Sequence, residues 1–158
     1  MKKAALVAAA LAASAQGAFA QDNRGEYLVR IMDCSGCHTP GALLGAPEMD
    51  KALSGGNVGF EIPGLGIFYP PNLTSDATGA GSWSEDEIIA AVTKGTRPDG
   101  RQLAPAMPWH AYSALTEEDA RALASHLKST APIENTVPAP VGPGEKAPLP
   151  YLAVNMPQ

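Results

Sequence analysis

The chain has only two cysteines in 158 residues, so a disulfide framework is excluded beyond a single bridge. It also lacks a long apolar run. Its one apolar stretch, alanine-rich from Ala4 to Ala13, falls short of an ordinary membrane span of about 20 residues. That stretch follows Met1-Lys2-Lys3 and closes on Ala18-Phe19-Ala20, which is the basic start, short apolar segment and A-x-A site of a secretory signal peptide. Cleavage is expected after Ala20, with export to the periplasm, and residues 1–20 are excluded from fold reasoning. No cysteine follows that site, so lipid anchoring there is not indicated. Basic residues are also few. The formal charge is −5, and losing Lys2 and Lys3 with the signal peptide takes the mature chain to −7. This balance argues against nucleic-acid or anionic-membrane binding and points to a partner with a complementary basic patch. No nucleophile–base constellation is present, so a stand-alone catalyst is not indicated.

What the chain does have is Cys34-Ser35-Gly36-Cys37-His38, the C-x-x-C-H pattern of a c-type haem attachment site. Two thiols add to the two vinyl groups of one haem, the two spacer residues keep both within reach of one macrocycle, and the next imidazole is the proximal iron ligand. A carbonyl in the loop after His38, with Pro47 as the candidate, is expected to accept the other ring N–H. A redox-active disulfide is the competing use of a CxxC pair in an exported chain, and it leaves His38 unexplained.

Three helices are signalled. Asp22 or Asn23 can cap a first helix from about Arg24, with Tyr27, Leu28, Ile31 and Met32 as its apolar stripe and Gly25 at a close crossing. Ser84 with Glu87 makes a capping box for a second helix, in which Ile88, Ile89, Ala91 and Val92 face inward and Gly95 ends the run. Thr116 with Asp119 opens a third, with Ala120, Leu123, Ala124 and Leu127 inward and Lys128 at its C-terminal end. This last face is the expected mate of the first helix, with Gly25 and Tyr27 at the crossing.

Between Thr39 and Ser82, glycine and proline recur too densely for a helical period. A loop of this length makes sense if a rigid prosthetic group supplies its core. Phe60, Ile62, Leu65, Ile67, Phe68 and Leu73 are the candidate haem contacts. Asn72-Leu73-Thr74 matches a glycosylation sequon but reads better as turn residues, with a haem propionate as a possible hydrogen-bond partner. Arg97-Pro98-Asp99-Gly100 reads as a type I turn. Residues 131–158 are proline-rich and expected to be extended; Tyr151, Leu152 and Val154 are apolar enough to dock on this domain or on a partner, with disorder as the alternative.

In Ala104-Pro105-Ala106-Met107-Pro108-Trp109 the flanking prolines rule out regular helix and favour an extended Met107. Its thioether is the candidate sixth ligand of the iron. Met32, Met49 and Met156 are weaker candidates, and His110 and His126 are the rival distal ligands. Arg97, Arg101, Trp109 and Tyr69 are candidates for propionate contacts.

The CxxCH motif, the Met107-Pro108 segment and the terminal helices together resemble class I c-type cytochromes. More narrowly, Pro71-Asn72-Leu73-Thr74-Ser75-Asp76 with Gly79, Gly81 and Trp83, then Arg97-Pro98-Asp99-Gly100-Arg101 and Pro105-Ala106-Met107-Pro108, look like the cytochrome subunits of periplasmic alcohol and aldehyde dehydrogenase complexes. The resemblance covers roughly residues 23–137.

It implies an all-α, class I cytochrome c fold of three to five helices around one covalently bound haem c, with a long Gly/Pro-rich loop. The expected organisation is a signal peptide (1–20), a cytochrome c domain (21–130) and an extended tail (131–158). The implied function is one-electron transfer, with Cys34, Cys37, His38 and Met107 binding the haem and His38 and Met107 on the iron. Partners would be a periplasmic dehydrogenase or other oxidoreductase and a downstream acceptor such as a terminal oxidase or another cytochrome. A gas-binding or sensing haem protein with a labile Met107 is the alternative.

Overall fold

The structure is a computed structural model and describes residues 24–155. The signal segment 1–20, the cap candidates Asp22 and Asn23, and Met156 lie outside the described residues. Helix α1 comprises residues 24–31, and α2 (Cys34–His38) follows at once. Helix α3 is Glu85–Lys94, α4 is Trp109–Tyr112 and α5 is Glu117–Ser129.

The crossing of α1 on α5 sets the first helix's orientation. A Cβ on Gly25 would overlap the Ala122 carbonyl oxygen and His126 Cβ, so the two backbones meet where glycine leaves room. That contact rolls α1 away from the expected stripe. Its buried side is Gly25, Leu28 and Val29, with Met32 half-buried just beyond, a 3–4 spacing that starts one register earlier. Tyr27 and Ile31 are instead exposed, at 51% and 57%, and the Arg24 guanidinium lies 5.3 Å from the Tyr27 ring centre.

Helix α3 forms as its cap predicts. The Ser84 hydroxyl accepts the Glu87 N–H (3.2 Å), and the Glu87 carboxylate accepts the Ser84 N–H (2.7 Å). Gly95 ends it at φ 68°, its N–H returning to the last carbonyls. Thr116 caps α5 through the Asp119 N–H. The Asp119 carboxylate itself takes both forks of Arg24 on α1, at 2.8 and 3.2 Å, and so ties the terminal helices together. Lys128 near the end of α5 donates to the carbonyls of Gly81 and Trp83, which pins the loop entering α3. Leu28, Val29, Ile88, Leu123, Ala124 and Leu127 from the three helices share one core with Leu53 and Ala80 from the loop.

The all-α expectation needs a correction. The glycine-rich stretch contains a hairpin: β1 (Gly59–Ile62) pairs antiparallel with β2 (Gly66–Phe68), and β3 (Tyr151–Leu152) adds to β1 in parallel. The physical cause is local. Pro63-Gly64 occupies the centre of a turn closed by the Leu65 N–H on the Ile62 carbonyl, with Gly64 at φ 78°, as a type II turn requires. The flanking Phe60-Glu61-Ile62 and Gly66-Ile67-Phe68 then pair in register.

The tail crosses the loop in an extended path and is fixed mainly through its backbone. Val141 and Ile67 exchange both N–H···O bonds at 2.9 Å. The Gly59 N–H donates to the Pro150 carbonyl, and the Tyr69 hydroxyl donates to the Leu149 carbonyl (2.8 Å). Docking leaves the Leu152 and Val154 side chains exposed. Among the described residues no helix is long and apolar enough to cross a membrane.

Two outcomes are expected from the terminal-helix contact. Gly25→Ala gains up to about 1 kcal/mol in helix propensity, but overpacking against a backbone carbonyl costs about 1–3 kcal/mol. The collision wins, and denaturant unfolding should show a net loss. Asp119 is held below the ordinary carboxylate value, first by its hydrogen bond to Arg24. A depressed folded value means that its contribution is complete above the unfolded pKa of about 4 and is lost as pH falls through the folded value. The melting temperature of Asp119→Asn should therefore lie below that of the parent at pH 7, with the gap closing in acid.

Candidate functional site

Helix α2 is one turn long, and its position comes from tertiary contacts. Asp33 precedes it in the left-handed region (φ 53°), and Gly36 sits where a Cβ would overlap the Asp33 carboxylate. The turn ends with His38, which is 6% exposed. Its Nδ1 lies 2.7 Å from the carbonyl oxygen of Pro71. A carbonyl can only accept, so Nδ1 carries the proton and Nε2 keeps a bare lone pair. Burial pushes the imidazole pKa down and so favours the neutral ring, partly opposed by the Pro71 bond. The orienting carbonyl is thus Pro71 and not Pro47. The loop returns to α2 through residues 70–72, while the Gly41–Glu48 segment makes its hydrogen bonds within itself and to Thr39, Pro40, Lys51 and Asn57.

Cys34, Cys37 and His38 line a cavity of about 690 Å³, within the range of roughly 300–1,000 Å³ that encloses a ligand. Both thiols are free and partly buried. Burial is the first cause raising each of their pKa values, with Asp33 adding to it, and Cys34 is pushed up to about 11. A redox-active CxxC needs the opposite, a stabilised thiolate.

Met107 lines the same cavity from a different segment. Its flanking prolines each sit inside a turn. The Met107 N–H closes a β-turn onto Ala104, with Pro105 in the second position that proline favours. The Trp109 N–H then bonds the Met107 carbonyl (2.8 Å) across Pro108 (φ −81°, ψ 45°), close to an inverse γ-turn. Two successive turns present the residue. The Arg97–Gly100 turn before it also forms, with the Gly100 N–H on the Arg97 carbonyl (2.9 Å) and Gly100 at φ 80°. Arg97 and Arg101 both line the cavity.

The other sequence candidates divide. Phe60, Phe68 and Leu73 line the cavity. Leu65 is at the exposed hairpin tip, Ile67 is buried at the Val141 bridge, and Ile62 lines a shallow groove with Leu152 and Val154. Strand alternation explains the split, since Phe60 and Phe68 are cross-strand partners on one face while Ile67 points to the other. Met32 lines the cavity beside Cys34; Met49 is exposed outside it. His110 is exposed with its ring against Trp109, and His126 sits at the Gly25 crossing; neither lines the cavity.

Tyr69 also lines the cavity, but its hydroxyl is engaged by Leu149. Asn72 is 3% exposed, which excludes it as a glycosylation acceptor in the folded chain. Its amide oxygen accepts the Thr74 N–H and hydroxyl in an Asx turn. Its amide NH₂ donates to Thr78 Oγ1 and the Ile133 carbonyl, so a propionate contact is not needed to satisfy it. Sequence reasoning missed Tyr112, which lines the cavity while its hydroxyl donates to the Met32 carbonyl, and the tail residues 136–140. Neither carries a local signal.

The cavity suits an apolar macrocycle bearing carboxylates. Its lining is largely apolar, and the buried Nε of Arg97, which lines it, lacks a protein acceptor; Trp109 Nε1 is likewise unpaired among the described residues, but Trp109 packs against Gly95 and does not line the cavity. Arg97 Nε is 3.5 Å from Asp99, without hydrogen-bond alignment, and the guanidinium stacks 4.8 Å from the Trp83 ring centre. Burial, with repulsion from Arg101, lowers the pKa of Arg97 against the opposing pull of Asp99, so an additional anion would be favourable there.

Residues 23–131 match the Cytochrome c family. The chain belongs to the cytochrome c family. Its cofactor is haem c, covalently bound, and the family's task is electron transport; the chain carries a CxxCH pattern at Cys34, Cys37 and His38. This cytochrome is 34% identical over 130 residues to the fructose dehydrogenase cytochrome subunit of Gluconobacter japonicus, covering 82% of this chain and 24% of that one. It is 36% identical over 120 residues to the cytochrome c subunit of the quinone-type alcohol dehydrogenase of Gluconobacter oxydans, covering 72% and 23%. A third relative, the gluconate 2-dehydrogenase cytochrome c subunit of Pantoea cypripedii, is 35% identical over 112 residues, covering 70% and 23%. The chain thus spans about a quarter of the length of these relatives.

Asn72 gives the site a mechanical test. Asn72→Ala would leave the buried Thr74 N–H without its acceptor and the Ile133 carbonyl with only the longer bond from the Thr74 hydroxyl (3.4 Å). Chemical denaturation of the holoprotein should show a loss of about 1–3 kcal/mol, the cost of one buried group left unpaired.

Proposed function

We propose that this chain is a periplasmic monohaem cytochrome of the class I fold that carries single electrons between a dehydrogenase or other oxidoreductase and the respiratory chain. Cys34 and Cys37 hold the haem, His38 Nε2 is the proximal ligand and Met107 the distal one. The bound haem supplies an iron that cycles between ferric and ferrous states. His38 contributes a neutral, oriented nitrogen. Met107 contributes a soft, neutral thioether that favours ferrous iron and raises the potential. Arg97, which lines the cavity with an unpaired Nε, is the natural donor to a propionate.

The organisation that fits this role is a signal peptide (1–20), a haem domain (21–130) and a tail (131–158), with cleavage after Ala20. The chain itself acts as a carrier or an electron-transfer subunit and not as a catalyst. Relatives named as subunits of fructose, alcohol and gluconate dehydrogenases favour a dehydrogenase as electron donor. The acceptor would be a terminal oxidase or another cytochrome.

The observation that carries this reading is the joint placement of Cys34, Cys37, a buried His38 with its Nδ1 proton committed to Pro71, and Met107 around one cavity. The test is the optical spectrum of the purified protein, oxidised and reduced, with and without carbon monoxide. Expected is a low-spin haem that survives denaturation attached to the chain, ignores carbon monoxide, and shows the far-red methionine–iron band. Met107→Ala should abolish that band and lower the midpoint potential. An unchanged spectrum in this variant removes Met107 from the iron; rapid carbon monoxide binding by the parent replaces the carrier reading with a gas-binding one.

A further inference from the structure

The proline-rich tail runs beyond the part of the chain that matches the family, residues 23–131. Residues 136–140 nevertheless line the same cavity as His38 and Met107. We propose that this segment, Thr136-Val137-Pro138-Ala139-Pro140, is a wall of the haem site that keeps water from the macrocycle and thereby holds the midpoint potential up. The proposal rests on the assignment of Cys34, Cys37, His38 and Met107 to the haem.

Three observations carry it. First, the segment is latched at both ends. Before it, the Asn135 N–H donates to Thr78 Oγ1 (3.1 Å) and the Asn135 amide NH₂ to the Ser54 carbonyl (2.9 Å). After it, Val141 and Ile67 exchange a reciprocal pair of backbone bonds at 2.9 Å. A segment five residues long between two such latches has little freedom to leave.

Second, its chemistry suits contact with an apolar ring. Two of the five residues are prolines, which have no N–H, and the rest of the composition favours an extended backbone without internal hydrogen bonds. A wall against a hydrocarbon surface must leave as few backbone donors unpaired as it can.

Third, the tail reaches the proximal side of the site. A Cβ on Gly55 would overlap Val137 Cγ2, and the Gly55 N–H donates to the His38 carbonyl (2.8 Å). The Ile133 carbonyl accepts from Asn72, the residue directly after the Pro71 carbonyl that orients His38. Burial and low dielectric around a haem disfavour the extra charge of the ferric state, so a wall that excludes water raises the potential.

The first measurement uses the unaltered holoprotein. In the ferrous state the haem ring current should displace the Val137 and Ala139 methyl proton resonances from their ordinary positions, and oxidation should shift them again. Methyls at ordinary positions in both states overturn the proposal, whatever the iron ligands prove to be.

The second measurement uses Asn135→Ala/Val141→Pro, which removes a latch bond at each end and alters no residue that lines the cavity. The variant should retain covalent haem and the methionine–iron band. At fixed ambient potential its Fe(II)/Fe(III) ratio should fall by about threefold or more, where tenfold corresponds to about 59 mV. Lowered thermal stability with an unchanged potential would show a structural strap only and overturn the proposal. Loss of the methionine–iron band in the parent protein indicts the ligand assignment and not the wall. Should the double variant fail to fold, Val137→Thr places one hydroxyl in the wall with the latches intact, and an unchanged potential there is equally decisive.

Discussion

The hydrogen bond from His38 Nδ1 to the Pro71 carbonyl is the constraint on which the rest of the structure depends. It selects the tautomer and leaves Nε2 unprotonated on a ring that lines the cavity. It also requires the loop to return after 33 residues to a point beneath α2. Each step of that return is secured by a contact with little slack. Thr39 Oγ1 accepts the Leu53 N–H, the Gly55 N–H reaches the His38 carbonyl, and the Gly56 N–H reaches the Pro70 carbonyl. At Gly56 a Cβ would overlap the Cys37 carbonyl, so the loop's glycines are partly a matter of clearance and not only of turning.

Around that bond the molecule divides its work. The helical side is an ordinary apolar core, in which α1, α3 and α5 bury leucine, valine and alanine against one another. Of the buried residues on the other side, only Leu53 and Ala80 join that core. That side uses buried polar groups with satisfied bonds, Thr39, Ser54, Asn72 and Thr74, to hold a backbone that encloses a cavity. Buried polar networks specify one geometry because each unpaired group is costly. This is the appropriate material for a cofactor wall, where position matters more than bulk stability. The helical side supplies the stability, and the polar side supplies the placement.

How much of this was legible in the sequence follows the same division. Features encoded within a few residues were readable: the CxxCH motif, the Ser84–Glu87 capping box, the Gly95 stop and the Arg97–Gly100 turn. Features decided by distant partners were not. The rotation of α1 could not be read from Tyr27 and Ile31, because it is set by how closely Gly25 approaches Ala122, nearly a hundred residues away. Pro71 could not be singled out from Pro47 as the acceptor of the His38 proton, because many carbonyls in a long loop are chemically equal and only the fold selects one. The β-hairpin is a different case. Pro63-Gly64 between Phe60-Glu61-Ile62 and Gly66-Ile67-Phe68 is a local signal, obscured by the density of glycine and proline around it.

The tail shows why composition alone misjudges such segments. Residues 131–155 are rich in proline, which by itself suggests a loose extension. Yet proline also lowers the entropy of the unattached chain, so each bond that fixes an already extended segment costs less ordering than it would elsewhere. The tail's bonds are mostly from main chain or amide groups to partners on the loop: Ile133 to Asn72 and Thr74, Asn135 to Ser54 and Thr78, Val141 to Ile67, Leu149 to Tyr69, and Pro150 to Gly59. They are spread along the segment, so no single break releases it. The loop meanwhile needs a partner for the hairpin face turned away from the cavity, where Ile67 is buried. Loop and tail are therefore mutually dependent: neither has a core alone, and each satisfies backbone groups that the other leaves unpaired.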